Sequence, residues 1–158
     1  TTRIGGLSLR LQADRVDRLD DGRLVIIDYK TGENAAARGW LEARPTDLQV
    51  PLYCVEAEQP AAALIARIHA RSSVFRGEAQ DAGIVPDIDA FTGDGMIADW
   101  HQLLQHWRTA LQQLAAEILA GRAAIEPQEA KTCTYCELGP LCRISSLQQG
   151  SAREDGDD

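Results

Sequence analysis

Leu24-Val25-Ile26-Ile27-Asp28-Tyr29-Lys30 is the stretch that decides the fold, because four consecutive apolar residues stand directly before an aspartate and a lysine. Such an apolar run predicts a β-strand that is buried on both faces. Asp28 and Lys30 are two residues apart, so their side chains share one face of that strand. A charged pair that ends a buried strand indicates either a structural salt bridge or a bound cation.

A turn signal connects this strand to the β-compatible residues before it. Residues 4–19 form the earlier run, and Asp20-Asp21-Gly22 separates the two. A two-residue loop would leave Asp14 and Asp28 on opposite faces of the sheet. A three-residue loop with Gly22 in the left-handed conformation puts them directly opposite each other, with Cβ atoms roughly 4.5–5.5 Å apart. We therefore predict the three-residue loop, since one cation could then bridge both carboxylates.

Two carboxylates and a lysine on one face predict a metal-dependent phosphodiesterase site. The carboxylate oxygens of Asp14 and Asp28 are suitable ligands for Mg²⁺ or Mn²⁺, and Lys30 could orient a water molecule or stabilise charge that develops on phosphate. Asp17 falls on the opposite face from Asp14 in this register. We expect Asp17 to have a structural role with Arg15 or another arginine.

The remaining segments predict an α/β fold, a mixed central β-sheet flanked by helices with the site at one edge. Thr46-Asp47-Leu48-Gln49 resembles a capping box, and the helix that follows should run to about residue 58. Gln49 and Tyr53 share a face of it. Strands are predicted at 62–69 and 72–78, followed by a long connection within residues 77–95. An amphipathic helix is predicted over 94–121, with Trp100 and Trp107 in the core.

Composition indicates a globular domain with a real core. The chain has 158 residues, 44% of them hydrophobic, and a net charge of −8. No segment approaches the roughly 18 apolar residues of a membrane span, so no membrane partner is expected. The negative charge argues against a surface that coats DNA generally. The arginines near the proposed site could contact phosphates or lie in solvent: Arg3, Arg10, Arg15, Arg18, Arg23, Arg38 and Arg44.

The cysteines Cys133, Cys136 and Cys142 form a C-x₂-C-x₅-C pattern. In an intracellular protein this spacing indicates a metal or cluster site. Three thiolates could hold three corners of a [4Fe–4S] cluster, and zinc would also accept them with a fourth ligand. Cys54 is expected to be a buried apolar residue.

Three motifs in this order give the chain a family resemblance. They are residues 11–22 followed by 26–32, then Gln49-Val50-Pro51-Leu52-Tyr53 as a Q-x-x-x-Y motif, then the three cysteines. Together they resemble the RecB-like nuclease domain of the PD-(D/E)XK superfamily. The nearest likeness is to AddB-type helicase–nuclease subunits and related bacterial DNA-repair exonucleases.

The resemblance implies a restriction-endonuclease-like core and a role for each matching residue. Asp14, Asp28 and the Tyr29 backbone carbonyl would be metal ligands, and Lys30 would be the catalytic lysine. Gln49 and Tyr53 would help position Lys30 and the DNA, and the cysteines would ligate a [4Fe–4S] cluster.

Two features of the family have no counterpart here. The first is a preceding helix that often carries a histidine, and His69, His101 and His106 match no motif position. The second is a fourth cysteine upstream of the carboxylates. We therefore expect the C-terminal part of a larger protein, with N-terminal elements missing and a cluster that is absent or incomplete. The expected divisions are a partial nuclease core at 1–126, a loosely held cysteine segment at 127–146 and a disordered acidic tail at 147–158.

The leading hypothesis is an exonuclease-type, metal-dependent DNA nuclease domain of a cytoplasmic bacterial repair complex. Its partners would be DNA and a helicase subunit or domain, and exposed apolar surface could lead to a homodimer. The alternatives are a catalytically inactive nuclease-fold domain that binds DNA, and a structural iron–sulfur or zinc module.

Overall fold

The computed structural model describes residues 1–32, 37, 39–128, 130–134 and 136–144. It divides into two compact units, Thr1–Ala120 and Gly121–Asp158, which are described separately. The predicted tail at 147–158 lies outside the described residues. The predicted boundary at residue 126 stays a prediction.

The first unit contains a four-stranded mixed sheet, a two-stranded sheet and two helices. The elements are β1 (Thr2–Ile4), β2 (Leu7–Leu9), β3 (Arg15–Arg18), β4 (Leu24–Lys30), α1 (Gln49–Glu56), β5 (Pro60–His69), β6 (Ser72–Ala79) and α2 (Trp100–Leu119). The large sheet has the order β3-β4-β5-β6, and only its β4–β5 pair is parallel. Parallel strands need a crossover connection, and the one between β4 and β5 contains α1. The predicted mixed α/β fold is confirmed.

Strand β4 is buried on both faces, as the apolar run predicts. On one face Ile26 joins a core with Ala63 and Ile65 of β5 and with residues of both helices. On the other face Val25 and Ile27 join a second core that includes Val85 from the connection after β6. Burial of side chains on both sides removes apolar surface from water, which stabilises the fold by about 25 cal/mol for each Å². This burial fixes β4 at the centre of the unit.

Three tryptophans hold the loop before α1 against α2. Trp107 is fully buried, and its ring makes edge-to-face contacts with Trp40 and Trp100 at centroid distances of 5.7 and 6.0 Å. Its indole N–H donates to the Trp40 carbonyl at 2.9 Å, and the Trp40 indole donates to the Asp47 carbonyl at 3.1 Å. The prediction that Trp100 and Trp107 belong to the core is confirmed. Trp40 is fully buried and pins its loop to the core.

The second unit carries the cysteine segment. Its described elements are a 3₁₀ helix at Ala130–Cys133 and the short helix α3 at Gly139–Cys142. An ion pair joins Arg122 and Glu126 at 2.8 Å. The expected loose attachment of this segment stays a prediction.

The run at residues 4–19 does not form one strand of the hairpin. Gly5 and Gly6 both have positive φ, at 53° and 95°, and turn the chain between β1 and β2. These two short strands pair with each other in a separate sheet. The pattern correctly predicted extended backbone. The two glycines adopt left-handed conformations at no steric cost, and they divide that backbone into two short strands.

Both predicted helix starts are wrong. Helix α2 begins at Trp100, not at residue 94, because Asp94 and Ile97 form a tight antiparallel bridge and the Asp99 carboxylate caps the helix by accepting from the Gln102 amide. Helix α1 is capped by Leu48 without a side-chain hydrogen bond, so the capping box is absent. The Gln49 side chain, which the box would have used, points to other partners.

Gly77 tests the close packing of β5 and β6. It has a φ of 146°, and a Cβ atom there would lie 2.0 Å from the backbone oxygen of Ala63. We expect Gly77→Ala to lower the free energy of unfolding by roughly 2 kcal/mol or more, because the neighbouring backbone must move. Gly32→Ala is the matched control, since nothing lies within 4 Å of its Cβ position. Equal urea midpoints for the two variants would contradict this account.

Candidate active site

The hairpin register brings the two predicted carboxylates to neighbouring positions. Strand β3 pairs with β4 so that Arg15 lies opposite Ile27. The Gly22 amide donates to the Leu19 carbonyl at 2.9 Å, and Gly22 has a φ of 90°. This is the predicted three-residue loop. One step beyond the last pair, the same register sets Asp14 against Asp28, although Asp14 itself precedes β3.

Asp14 is fixed by the backbone of β4. Its Oδ2 accepts a hydrogen bond from the Tyr29 amide at 3.0 Å. Asp14 therefore lies beside the residue whose carbonyl the resemblance assigns as a metal ligand. Asp17 pairs with Arg15 at 2.6 Å, and both side chains are substantially exposed. The predicted structural role of Asp17 is thus supported by a contact.

Asp28 is the one buried charged residue of the core among those that the structure describes, with 1% of its surface exposed. Its Oδ2 lies 2.9 Å from the Lys30 ammonium. The Lys30 ammonium is the one partner of this oxygen among the described residues. A single ammonium compensates a buried carboxylate only in part, so a second cation would lower the free energy of the charged site.

A chain of hydrogen bonds ties Lys30 to the segment before β3. The Lys30 ammonium donates to Gln49 Oε1 at 3.0 Å, and Gln49 Nε2 donates to the Tyr53 hydroxyl at 3.1 Å. The Tyr53 hydroxyl then donates to the backbone carbonyl of Gln12 at 2.8 Å. Gln49 and Tyr53 on α1 therefore hold both the lysine and the segment that leads to Asp14.

The electrostatics keep Lys30 charged. Its pKa is raised above the ordinary lysine value, chiefly by the contact with Asp28, while partial burial acts in the opposite direction. The charges of Asp47 and Asp14 also raise this pKa. Lys30 is thus an ammonium at neutral pH, able to stabilise negative charge.

The residues present fit a hard divalent cation. They offer the buried Asp28 carboxylate, the Asp14 carboxylate at the position opposite it in the hairpin register and the main-chain carbonyl of Tyr29, all oxygen ligands of the kind that Mg²⁺ and Mn²⁺ prefer. Within the described ranges, no three His, Cys, Asp or Glu side chains form a metal-binding group. Coordination would therefore rely on two carboxylates, backbone and water.

The histidines and cysteines lie outside this constellation. His106 Nε2 donates to the Glu42 carbonyl at 2.9 Å, which ties α2 to the loop before α1. Cys54 is buried, and burial raises the pKa of its thiol, as expected for an inert core residue. The second unit has Cys133, Cys136 and Cys142 as free thiols, and the described part of the chain does not gather them into a metal-binding group.

Sequence reasoning missed two contributors to the site. The Gln12 carbonyl anchors Tyr53, and a main-chain acceptor leaves no signal in residue identity. Asp47 adds negative charge near Lys30 from a left-handed conformation, with a φ of 49°. Asp47 immediately precedes the Leu48-Gln49 start of α1. The sequence pattern assigned this segment to a capping box, so it gave no reason to expect Asp47 near Lys30.

Two carboxylates and a lysine at the end of a central strand, supported by a glutamine and a tyrosine from the crossover helix, form an arrangement that suits phosphodiester hydrolysis. Comparison with protein families agrees with this class. The model of the PD-(D/E)XK nuclease superfamily matches residues 2–143, and the chain belongs to that superfamily.

A curated relative adds a more specific likeness. The chain is 32% identical over 88 residues to an ATP-dependent helicase/deoxyribonuclease subunit from Bacillus licheniformis. The match covers 52% of this chain and 7% of that protein, so the chain spans a small part of its relative. No solved structure gives a significant match. In the described part of the chain, no helix has the length and apolar character needed to cross a bilayer.

Tyr53→Phe tests the hydrogen-bond chain. It removes a hydroxyl that accepts from Gln49 and donates to the Gln12 carbonyl, so we expect the free energy of unfolding to fall by about 1 kcal/mol. Tyr29→Phe is the matched control, because the Tyr29 side chain is exposed and its contact with Arg15 is long, at 3.3 Å. Urea denaturation measures both, and a Tyr29 effect as large as the Tyr53 effect would contradict the assignment.

Proposed function

We propose that this chain is the nuclease module of a bacterial DNA-repair helicase–nuclease and that it hydrolyses DNA with Mg²⁺ or Mn²⁺, in the manner of an exonuclease. The observation that carries the proposal is the buried Asp28 carboxylate, whose Oδ2 lies 2.9 Å from the Lys30 ammonium and has no other partner among the described residues. Membership of the nuclease superfamily and the name of the Bacillus relative support it. The partners would be DNA and a helicase subunit or domain, in the cytoplasm.

Asp14, Asp28 and the Tyr29 carbonyl would hold the divalent cation. When bound, such a cation supplies Lewis-acid chemistry, since it polarises the phosphate and makes water more acidic. The Asp28 carboxylate is suited to this role because it is buried within the core, and Asp14 because the Tyr29 amide already orients its carboxylate.

The remaining chemistry falls to Lys30 and its supports. Hydrolysis joins a water oxygen to phosphorus and breaks the bond to the leaving oxygen, so negative charge builds on the phosphate. The Lys30 ammonium would stabilise that charge or orient the water. Gln49 accepts from Lys30, and Tyr53 accepts from Gln49, so the lysine would be held in place before substrate arrives.

Substitution of the acidic and basic partners tests the proposal. We expect Asp28→Asn and Lys30→Ala each to lower the rate of Mg²⁺-dependent cleavage of linear single-stranded DNA by roughly 10²-fold or more, the range seen when charge-stabilising groups are removed. Asp17→Asn is the matched control, because this exposed carboxylate pairs with Arg15 away from the site. Its rate should stay near that of the unaltered protein.

A second readout separates metal binding from catalysis. Mg²⁺ that binds only the folded state should raise the melting temperature of the protein and of Asp17→Asn, but not of Asp28→Asn. Unchanged cleavage in both Asp28→Asn and Lys30→Ala would remove the proposal. DNA binding that needs no metal and leads to no cleavage would favour the inactive, DNA-binding alternative.

The cysteine segment carries a separate proposal. Cys133, Cys136 and Cys142 would supply three ligands to a [4Fe–4S] cluster or, with a suitable fourth ligand, to zinc. Protein prepared without oxygen should contain iron and acid-labile sulfide, and Cys136→Ser should lose both. Cys54→Ala is the control, since Cys54 is a buried core residue. Zinc without sulfide would select the other metal, and absence of both would refute the proposal.

Self-association of the chain also stays a prediction. Light scattering at high protein concentration tests it, and a strictly monomeric mass would contradict it.

A further inference from the structure

The Lys30 ammonium has two partners, and one of them is also a proposed metal ligand. The ammonium lies 2.9 Å from Asp28 Oδ2 and donates to Gln49 Oε1 at 3.0 Å. The proposed function assigns the Asp28 carboxylate to a divalent cation as well. Two cations on one carboxylate repel each other. Lys30 therefore needs a second negative charge if it is to stay beside Gln49 when the divalent cation is bound.

Asp47 is placed to supply that charge. It stands two residues before Gln49, which begins α1 and accepts a hydrogen bond from the Lys30 ammonium. The Asp47 charge already acts on Lys30, since it helps to raise the pKa of the ammonium. Asp47 is exposed, and within the part of the chain that the structure describes its carboxylate forms no hydrogen bond and no ion pair. This carboxylate is therefore available to a nearby cation.

Buried contacts hold the Asp47 backbone in place. Its φ is 49°, in the left-handed region that aspartate and asparagine tolerate better than most other residues with a Cβ atom. The Trp40 indole donates to the Asp47 carbonyl at 3.1 Å, and the fully buried Trp40 packs against Trp107. The main chain of Asp47 is thus positioned by the core through its carbonyl. The carboxylate takes no part in holding the loop.

The balance of charge at the site gives Asp47 a function. The carboxylates of Asp14, Asp28 and Asp47 all act on the one ammonium of Lys30. One divalent cation would neutralise this group of four. Without Asp47, the group would carry an excess positive charge once the cation had bound, part of it on the half-buried Lys30. Uncompensated charge away from water is costly, so Asp47 would make binding of the cation more favourable.

We infer that Asp47 is a positioning residue, the counter-ion of the Lys30 ammonium in the state in which Asp28 binds a divalent cation. Lys30 would keep its hydrogen bond to Gln49 and turn from Asp28 toward Asp47. Asp47 itself would touch neither the cation nor the DNA. The inference rests on the proposed function and extends it, because no motif assigns Asp47 to the site.

The first experiment compares Asp47→Asn with Asp87→Asn. Asparagine keeps the size of the side chain and accepts the left-handed conformation, so only the charge is lost. Asp87 is the matched control because it is also exposed and left-handed, with a φ of 62°, and it lies between Val85 and Ile88 on the other face of the sheet. The rise of melting temperature with Mg²⁺ concentration gives an apparent Kd. At low salt we expect this Kd to increase about threefold in Asp47→Asn and to stay unchanged in Asp87→Asn.

Salt separates a charge effect from a structural effect. The charge of an exposed carboxylate is screened, and the Debye length is only about 3 Å at 1 M ionic strength. The Kd of Asp47→Asn should therefore approach that of the unaltered protein as salt is raised to this concentration. A difference that does not depend on salt would indicate a structural role for Asp47 and would overturn the inference.

A double-mutant cycle separates action through Lys30 from direct attraction between Asp47 and the cation. In a Lys30→Gln background, Asp47→Asn should have little further effect on the Kd for Mg²⁺. A full threefold effect there would overturn the inference. If Lys30→Gln does not fold, a crystal structure of the unaltered protein with Mg²⁺ decides the same point. The inference requires the ammonium within about 4 Å of the Asp47 carboxylate, and an ammonium that still contacts only Asp28 and Gln49 would contradict it.

Cleavage kinetics distinguish failure of this inference from failure of the proposed function. With saturating Mg²⁺, Asp47→Asn should lower kcat several-fold and leave KM for single-stranded DNA unchanged, because Asp47 acts on Lys30 and not on the DNA. If the unaltered protein binds Mg²⁺ and cleaves, but Asp47→Asn behaves like Asp87→Asn, the inference is overturned and the nuclease proposal stands. If the unaltered protein neither gains stability from Mg²⁺ nor cleaves DNA, both are overturned.

Discussion

The ion pair between Asp28 and Lys30 lies where the buried part of β4 ends, and it imposes the main constraint on this fold. A carboxylate with 1% of its surface exposed loses nearly all its hydration, which costs several kcal/mol unless charges nearby compensate it. The Lys30 ammonium at 2.9 Å from Oδ2 provides part of this compensation, and this oxygen has no other donor among the described residues. The protein therefore maintains a buried negative site that remains suited to a second cation.

The topology explains how residues far apart in the sequence meet at the end of β4. Because β4 and β5 are parallel, the chain must cross back over the sheet between them, and α1 lies in that crossover. The crossover brings Gln49 to Lys30 and Tyr53 to the Gln12 carbonyl. One helix thus restrains both the lysine at the end of β4 and the segment that carries Asp14. The parallel pairing thus underlies the contacts of Gln49 and Tyr53, whereas the contact of Asp14 with the Tyr29 amide comes from the antiparallel hairpin.

The parts that could be predicted from sequence are those in which local pattern and packing agree. The apolar run before Asp28 specified the central strand, and the requirement that Asp14 and Asp28 share a face selected the three-residue turn that ends at Gly22. Where a local signal competed with tertiary contacts, the prediction failed. Gln49 matched a helix cap, but its amide is used by Lys30 and Tyr53. The Gln12 carbonyl had no signal at all, because it is a main-chain acceptor and lies 41 positions before the Tyr53 hydroxyl that it binds.

The charge balance determines how such a site can hold DNA. The net charge of −8 repels a polyanion at long range, and four of the last five residues are acidic. Local attraction must then come from the Lys30 end of β4, where a divalent cation would offset the carboxylates. At the other end of β4, Arg15 and Arg23 are already paired with Asp17, Asp21 and Asp81, so their charge is largely neutralised. A polyanion would therefore gain most from a cation bound beside Lys30, because that is where the negative charge of the protein can be offset.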